Sequence, residues 1–288
     1  MAPAARTSDV DTSPGPAALA REAALVAWLR AHGPVLVGYS GGVDSAYLAA
    51  VALATLGAAG VLAVVGRSAS YPAAQWDAAR EAATAMGLPL LEVDTRELDD
   101  PRYAANPSNR CYFCKTELWE RLAPLARERG MTVVDGTNAD DLGDHRPGAR
   151  AAAEHGVCSP LADAGLTKDD VRRLSARRGL STAWQPSSPC LASRLPYGTA
   201  VTPERLVAVE RAERAVRALG IVGDLRVRHH GDLARVELAA AELDAWLEPA
   251  ALARLGAVVR AAGFARVAVD LRGFRSGSLN VLAGVRPG

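Results

Sequence analysis

Along the first two thirds of the chain, stretches with apolar residues at helical spacing alternate with short continuous apolar runs. Apolar residues at helical spacing predict helices over 17–31, 43–56, 72–86 and 111–129, the last kinked or interrupted at Pro124. Short continuous apolar runs between them predict buried strands over 34–39, 61–66, 89–93 and 131–135. Strands that alternate with helices of this length form βαβ units. We therefore expect an α/β domain whose parallel sheet is covered by helices on both faces.

The pattern changes near residue 200. A loop rich in Pro and Ser over 181–200 is followed by Thr202 and Pro203, a helix cap and a favoured first helical residue. A helix over 203–219, a hairpin turning at 230–232, a helix over 249–262 and a strand over 265–271 complete a different, α+β pattern. We expect a disordered leader (1–15), a first domain (16–200) and a small α+β domain (201–288).

Composition restricts the class of protein. The 288 residues carry a net charge of +1 and are 49% hydrophobic, which is typical of a globular protein and argues against a nucleic-acid-binding surface. Neither a signal-peptide pattern nor an apolar stretch of about 18 residues is visible, so we expect a cytoplasmic chain without membrane contact. Its four cysteines favour metal binding, catalysis or burial over disulfides.

The hexapeptide SGGVDS, residues 40–45, lies between a predicted strand and a predicted helix. Glycines allow the backbone to approach a phosphate, and a helix N-terminus offers free N–H groups. The spacing differs from that of a Walker loop and resembles the loop of the PP-loop ATP pyrophosphatases. The resemblance implies that the loop binds the phosphates of ATP through Ser40, Gly41, Gly42 and Ser45. By the same resemblance, Asp44 orders the loop or helps to bind Mg²⁺.

The cysteines suggest a second site. Cys111 and Cys114 form a C-x-x-C pair at a predicted helix start, and Cys190 lies in the stretch SPCLASRLPYG. Thiolates of this kind suit zinc or an iron–sulfur cluster, while a redox pair or buried cysteines remain alternatives. Cys158 lacks a partner at ligand spacing, and we expect a small buried residue there.

Taken together, NRCYFCK, DGTN, RPG, SPLADAGLTK, PCLASRLPYG and DLRGFRSGS resemble the LarE family from about residue 20 onward. That resemblance implies a Rossmann-like PP-loop domain of the adenine nucleotide alpha hydrolase type. It also implies an enzyme that uses ATP and Mg²⁺ to adenylate pyridinium-3,5-biscarboxylic acid mononucleotide. The carboxylates become thiocarboxylates during synthesis of the nickel-pincer nucleotide. A homo-oligomer is expected by the same resemblance, and hexamers are familiar in the family.

The cysteines place the chain within that family. In one branch the cysteine that matches Cys190 gives up its own sulfur, and the C-x-x-C is missing. Because this chain keeps Cys111 and Cys114, it resembles the other branch, in which three cysteines hold a [4Fe–4S] cluster that delivers sulfide. Sacrifice of Cys190, with a structural C-x-x-C, remains the alternative.

A mononucleotide substrate with a phosphate and two carboxylates requires cations. Arg194, close to Cys190 in the sequence, is one candidate. Arg226 and Arg228 alternate on one predicted strand, where they either bind the substrate or form a polar outer face. Asp140, Asp141 and Asp144 are candidate Mg²⁺ ligands, and they equally suit a solvated acidic loop. By resemblance, Glu237, Arg272 and Arg275 are further candidate site residues. His229 and His230 point to opposite faces of a strand and are not expected to share a metal.

Three other functions compete with this interpretation. A tRNA 2-thiolation enzyme also joins a PP-loop to cysteines, but it needs a basic face that a net charge of +1 does not indicate. An amidotransferase needs an ammonia source, and no glutaminase segment is visible. A non-catalytic adenylate sensor would not need the three cysteines. We therefore expect a small-molecule nucleotide substrate and no nucleic acid partner.

Overall fold

The computed structural model describes residues 13–143, 147–186 and 188–275. Within these residues the N-terminal half forms a parallel sheet of four strands in the order β3-β2-β1-β4. The strands are β1 (Val35–Gly38), β2 (Val61–Arg67), β3 (Leu90–Asp94) and β4 (Thr132–Val134). All four match the predicted apolar runs, and the expected α/β, Rossmann-like class is confirmed.

Helices cover both faces of this sheet. The helices of this part of the chain are α1 (Pro16–His32), α2 (Val43–Leu56), α3 (Ala73–Met86), α4 (Pro101–Ala104), α5 (Arg110–Arg129), α6 (Pro147–Glu154), α7 (Pro160–Asp163) and α8 (Lys168–Arg177). Successive side chains of β1 enter different cores: Val35 and Val37 pack with α1, α2 and α8, whereas Leu36 packs with Trp119 of α5. This alternation explains why β1 is apolar at each of its first three positions.

Local sequence sets several helix ends. Thr167 and Asp170 form a complete capping box at the start of α8, as their spacing indicates. The α5 helix, in contrast, runs through Pro124 from Arg110 to Arg129, so the expected interruption is wrong. The short helices α4, α6 and α7 were not predicted because four to eight residues carry too little periodicity. The leader expected over 1–15 lies mostly outside the described residues, and α1 begins directly after it.

The described C-terminal residues form a second sheet with the order β5-β6-β7. Strands β5 (Leu225–His230) and β6 (Leu233–Leu238) make the predicted antiparallel hairpin, and β7 (Arg266–Val269) pairs parallel to β6. The helices are α9 (Pro203–Arg217), α10 (Leu243–Leu247) and α11 (Pro249–Ala261). Their core also includes Tyr103, Leu191, Ala192 and Leu195. The 181–200 loop therefore packs on this second unit, and a boundary near residue 200 stays a prediction.

Within the described ranges, every helix is too short or too polar to cross a membrane.

Candidate active site

A cavity of about 480 Å³ opens at the carboxyl edge of the first sheet. Strands β1 and β4 are neighbours, and the segments that follow both of them line this cavity. Ligands of open α/β sheets bind at this edge. The lining comprises Ser40, Asp44 and Ser45, the segment Asp135–Thr137 with Asp141, and Ser108, Cys111, Lys115 and Tyr197. The nucleotide loop and one cysteine of the C-x-x-C therefore share one cavity.

The PP-loop is held in shape by its own serines. The Ser45 hydroxyl accepts the amide N–H of Ser40 at 3.1 Å and donates to the carbonyl of Gly42 at 3.2 Å. Gly41 has a φ of +65°, and a β-carbon there would lie 2.4 Å from the β-carbon of Ala79. Only glycine satisfies both conditions. The loop thus leads directly into α2, and a helix N-terminus is a geometry suited to phosphate.

Asp44 is engaged by two side chains that the sequence interpretation missed. The Lys168 ammonium pairs with one carboxylate oxygen, and the Asn138 side-chain amide donates to the other at 3.2 Å. Lys168 is the first residue of α8, and its backbone N–H donates to Asp140 at 2.8 Å. The spacing of Thr167 and Asp170 is typical of a helix start, but it carries no signal that links this start to residue 44. Asp44 thus connects the PP-loop to the start of α8.

The aspartates of the segment after β4 have distinct roles. Asp135 accepts hydrogen bonds from Thr137 and from the Ser159 hydroxyl, so it orders the turn. Asp141 lines the cavity and also accepts the amide N–H of Asn138 at 3.1 Å. Asp140 faces the amide of Lys168 as described, and Asp144 lies outside the described residues. Oxygen donors for a hard cation such as Mg²⁺ are therefore available from Asp44 and Asp141.

The three cysteines are electrostatic neighbours. Burial raises the pKa of the Cys111 thiol, and the nearby Cys190 raises it further. Burial likewise raises the pKa of the Cys114 thiol, with Glu97 and Cys190 acting in the same direction. Cys114 and Cys190 also pack against the same hydrophobic core. The structure therefore brings the two ends of this predicted trio, nearly 80 positions apart in the sequence, into one region.

Cations surround the thiols. Arg110 is 4% exposed, and both it and Lys115 lower the pKa of Cys111, against the stronger effect of burial. Sequence reasoning missed Arg110, although it directly precedes Cys111 in the motif that carried the resemblance. Within the described residues, three His, Cys, Asp or Glu side chains are nowhere arranged to hold a metal ion as they stand. The donor chemistry does fit an iron–sulfur cluster, because thiols beside cations at a helix start suit a negatively charged group.

Cys158 lies apart from this trio. It is half-buried, and its backbone forms an isolated bridge with Val134, which extends the first sheet by one position. Its own surroundings include Asp135 and Asp163. This placement agrees with a structural residue.

Arg194 is buried beneath the loop that carries Cys190. Its guanidinium is paired with Glu213 of α9 at 2.9 Å and donates to the carbonyls of Pro189 at 2.6 Å and Cys190 at 3.2 Å. These contacts tie the Cys190 loop to the second unit. A contact of Arg194 with substrate stays a prediction.

Arg226 and Arg228 lie on the inner side of the hairpin. They are 8% and 5% exposed, so the interpretation as a polar outer face is wrong. Arg228 pairs with Glu237 at 2.8 Å and donates to the carbonyl of Ser193, while Arg226 lies over the ring of Phe274. Burial lowers the pKa of Arg226 to about 10, and the charge of Arg194 acts in the same direction. Three guanidinium groups are therefore concentrated beside the Cys190 loop, and their contact with substrate stays a prediction.

The remaining candidate residues differ in how deeply they are buried. Glu237 is fully buried and also pairs with Arg235, whereas Arg272 and Arg275 are exposed. His229 stacks edge-on against Phe264, and burial lowers the pKa of both His229 and His230. Adjacent strand positions place these two rings on opposite faces, as expected.

Three known proteins are similar in sequence to this chain. A pyridinium-3,5-bisthiocarboxylic acid mononucleotide synthase from Lactiplantibacillus plantarum is 36% identical over 262 residues, which is 90% of this chain and 94% of that protein. An uncharacterised protein from Synechocystis is 43% identical over 246 residues, 85% of this chain and 91% of its own length. An uncharacterised protein from Methanocaldococcus jannaschii is 32% identical over 154 residues, 53% of this chain and 57% of its own. No protein-family model matches the chain.

Proposed function

Because the chain belongs to the LarE family of pyridinium-3,5-bisthiocarboxylic acid mononucleotide synthases, we propose that it is an ATP-dependent sulfurtransferase. Its substrate is pyridinium-3,5-biscarboxylic acid mononucleotide, and its product is a thiocarboxylate used for the nickel-pincer nucleotide. The observation that carries this proposal is the shared cavity, in which the PP-loop and Cys111 face one space at the carboxyl edge of the sheet.

The first step is adenylation. A substrate carboxylate oxygen attacks the α-phosphorus of ATP, an O–P bond forms, and the bond to the bridging oxygen breaks as pyrophosphate leaves. Ser40 and Ser45 line the cavity at the start of α2, where a helix N-terminus would stabilise the charge that accumulates on the phosphates. Asp44 and Asp141 would hold the Mg²⁺ that accompanies ATP, and Lys168 balances the charge of Asp44.

The second step is sulfur transfer. A sulfur nucleophile attacks the carbonyl carbon of the adenylate, so a C–S bond forms and the C–O bond to AMP breaks. Cys111, Cys114 and Cys190 would hold a [4Fe–4S] cluster, which supplies an iron without a protein ligand at which extra sulfide is available. Arg110 and Lys115 are the cations that neighbour these thiols. The buried Arg194, Arg226 and Arg228 supply positive potential toward the anionic mononucleotide.

The reaction is tested by pyrophosphate release. Purified protein with ATP and Mg²⁺ is expected to release pyrophosphate when the biscarboxylic mononucleotide is added, and not when tRNA is added. Asp44→Ala is expected to abolish the release, whereas Asp169→Ala, an exposed carboxylate on α8, retains it. Release that depends on tRNA instead would replace the proposal with tRNA thiolation.

The sulfur source is tested separately. Anaerobic purification followed by iron and acid-labile sulfide analysis is expected to show both elements, and each of the three Cys→Ala variants is expected to lose them. After turnover, mass spectrometry is expected to find Cys190 intact, with repeated turnover supported by added sulfide. A mass loss at Cys190 equal to one H₂S would instead show that this cysteine is the sacrificial donor.

A further inference from the structure

One buried side chain joins the segment before the C-x-x-C helix to the loop after Cys190. Asn106 is fully buried and has a φ of +56°, in the left-handed region. It precedes Cys111 by five positions and lies beside residues 195–199, which follow Cys190 in the chain. Non-glycine residues adopt this backbone conformation only when the surrounding contacts compensate for its strain.

The backbone N–H of Asn106 donates to the carbonyl of Tyr103 in α4 at 2.9 Å, and its other hydrogen bonds reach that loop or Arg110 of α5. Its side-chain amide donates to the carbonyls of Pro196 at 2.8 Å and Thr199 at 2.9 Å, with Leu195 at the longer distance of 3.4 Å. Its backbone carbonyl accepts the N–H of Gly198 at 2.9 Å. Its side-chain oxygen accepts a hydrogen bond from Arg110.

Arg110 completes the connection. It is the first residue of α5 and directly precedes Cys111, and its guanidinium also donates to the carbonyl of Ala192 at 3.1 Å. Ala192 lies two positions after Cys190. The backbone that follows Cys190 is therefore attached at two places to the start of the C-x-x-C helix, through Asn106 and through Arg110.

The contacts require asparagine. The side chain must offer two donor hydrogens to carbonyl groups and one acceptor to Arg110, and it must tolerate a positive φ. Aspartate would direct a carboxylate at carbonyl oxygens, and glycine would accept the backbone geometry without bonding to the loop. None of these bonds involves the PP-loop.

We propose that Asn106 is a positioning residue for sulfur transfer: it holds the Cys190 loop against the helix of Cys111 and Cys114. Its significance for catalysis rests on the proposed function. The positioning itself is a property of the metal-free chain and can be measured without any turnover.

The experiment uses dibromobimane, which becomes fluorescent when both of its arms have reacted with thiols. In the reduced, metal-free full chain, peptide mass spectrometry is expected to find Cys190 linked to Cys111 or Cys114. Asn106→Gly is expected to lower the yield of that link by about fivefold, because hydrogen bonds from one buried side chain are lost. Asn109→Gly, an asparagine in the same segment that caps α5 without a side-chain hydrogen bond, is the matched control.

A second readout separates positioning from general destabilisation. Asn106→Gly is expected to keep substrate-dependent pyrophosphate release close to that of the parent, while thiocarboxylate formation falls with the crosslink yield. All measurements are made below the unfolding midpoint determined by circular dichroism. If Asn106→Gly does not fold, Asn106→Ser, which is smaller and carries no charge, takes its place in the same test.

The outcomes are distinguishable. A crosslink yield in the Asn106 variant equal to that of the parent, or an equal loss in Asn109→Gly, would overturn the positioning role. A parent protein that crosslinks as expected but forms no thiocarboxylate would contradict the proposed function. The positioning role of Asn106 would remain supported.

Discussion

A β-carbon on Gly136 would lie 2.8 Å from the amide nitrogen of Ser45. The turn after β4 and the first residues of α2 are therefore in backbone contact, at the point where the PP-loop offers its N–H groups. Only a glycine permits this approach, and the cavity wall depends on it.

Gly136→Ala is accordingly expected to separate this turn from the PP-loop. Overpacking of this kind typically costs about 1–3 kcal/mol, so ATP binding should weaken by about tenfold. Isothermal titration calorimetry with ATP and Mg²⁺ measures the effect. Gly15→Ala is the control, because a β-carbon there meets no atom within 4 Å. Unchanged affinity in Gly136→Ala would show that this approach does not shape the nucleotide site.

Lys168→Met is expected to impair adenylation. The substitution keeps the aliphatic stem but leaves Asp44 without its cation. Loss of one preorganised charge at a phosphoryl-transfer site typically lowers the rate by about a hundredfold. Substrate-dependent pyrophosphate release is the measurement, with unfolding midpoints compared in parallel. A rate equal to that of the parent would assign Lys168 to the structure of the α8 start alone.

Glu237→Gln is expected to destabilise the second unit. Its carboxylate pairs with Arg228 at 2.8 Å and Arg235 at 2.9 Å and is 1% exposed. Breaking a buried pair leaves an uncompensated charge, which typically costs about 3 kcal/mol or more. Urea unfolding measures the loss. In the matched control, Asp232→Asn breaks an exposed pair with Arg266 and should change stability by less than about 1 kcal/mol. Equal losses of stability in Glu237→Gln and Asp232→Asn would contradict the expected difference between a buried and an exposed ion pair.

The thiols predict a pH dependence. Burial raises the pKa of Cys114, so this thiol remains protonated where an ordinary thiol, with a pKa of about 8.5, begins to ionise. In metal-free protein its alkylation by iodoacetamide should keep accelerating above that pH, and peptide mass spectrometry can follow the site. The native state favours the protonated form, so stability is fully present below the ordinary thiol pKa and falls as pH rises past it. Alkylation that levels off near the pH of a free cysteine peptide would contradict this.

Much of the fold could be predicted because its signals are local. Apolar runs and helical periods identified the long helices and the strands of both units, and the glycines of the PP-loop marked the turn between β1 and α2. The resemblance also located the three cysteines that the structure brings into one region.

The contacts that could not be predicted from the sequence depend on long-range packing. The contact between Asp44 and Lys168 spans 124 positions, and the contact between Asn106 and Thr199 spans 93. Neither residue type at those positions signals its partner: a lysine does not identify the carboxylate with which it pairs, and asparagine before a proline is common for purely local reasons. The inward orientation of Arg226 and Arg228 likewise follows from how the hairpin packs on the Cys190 loop.

The central claim is that this chain replaces a carboxylate oxygen of pyridinium-3,5-biscarboxylic acid mononucleotide with sulfur at the expense of ATP. Mass spectrometry of the mononucleotide after anaerobic incubation with the protein, ATP, Mg²⁺ and sulfide tests it most directly. The account predicts a mass gain equal to the exchange of oxygen for sulfur, with one pyrophosphate released for each exchange and neither product in Asp44→Ala. An unchanged mononucleotide in the presence of folded protein with iron and sulfide bound would contradict it.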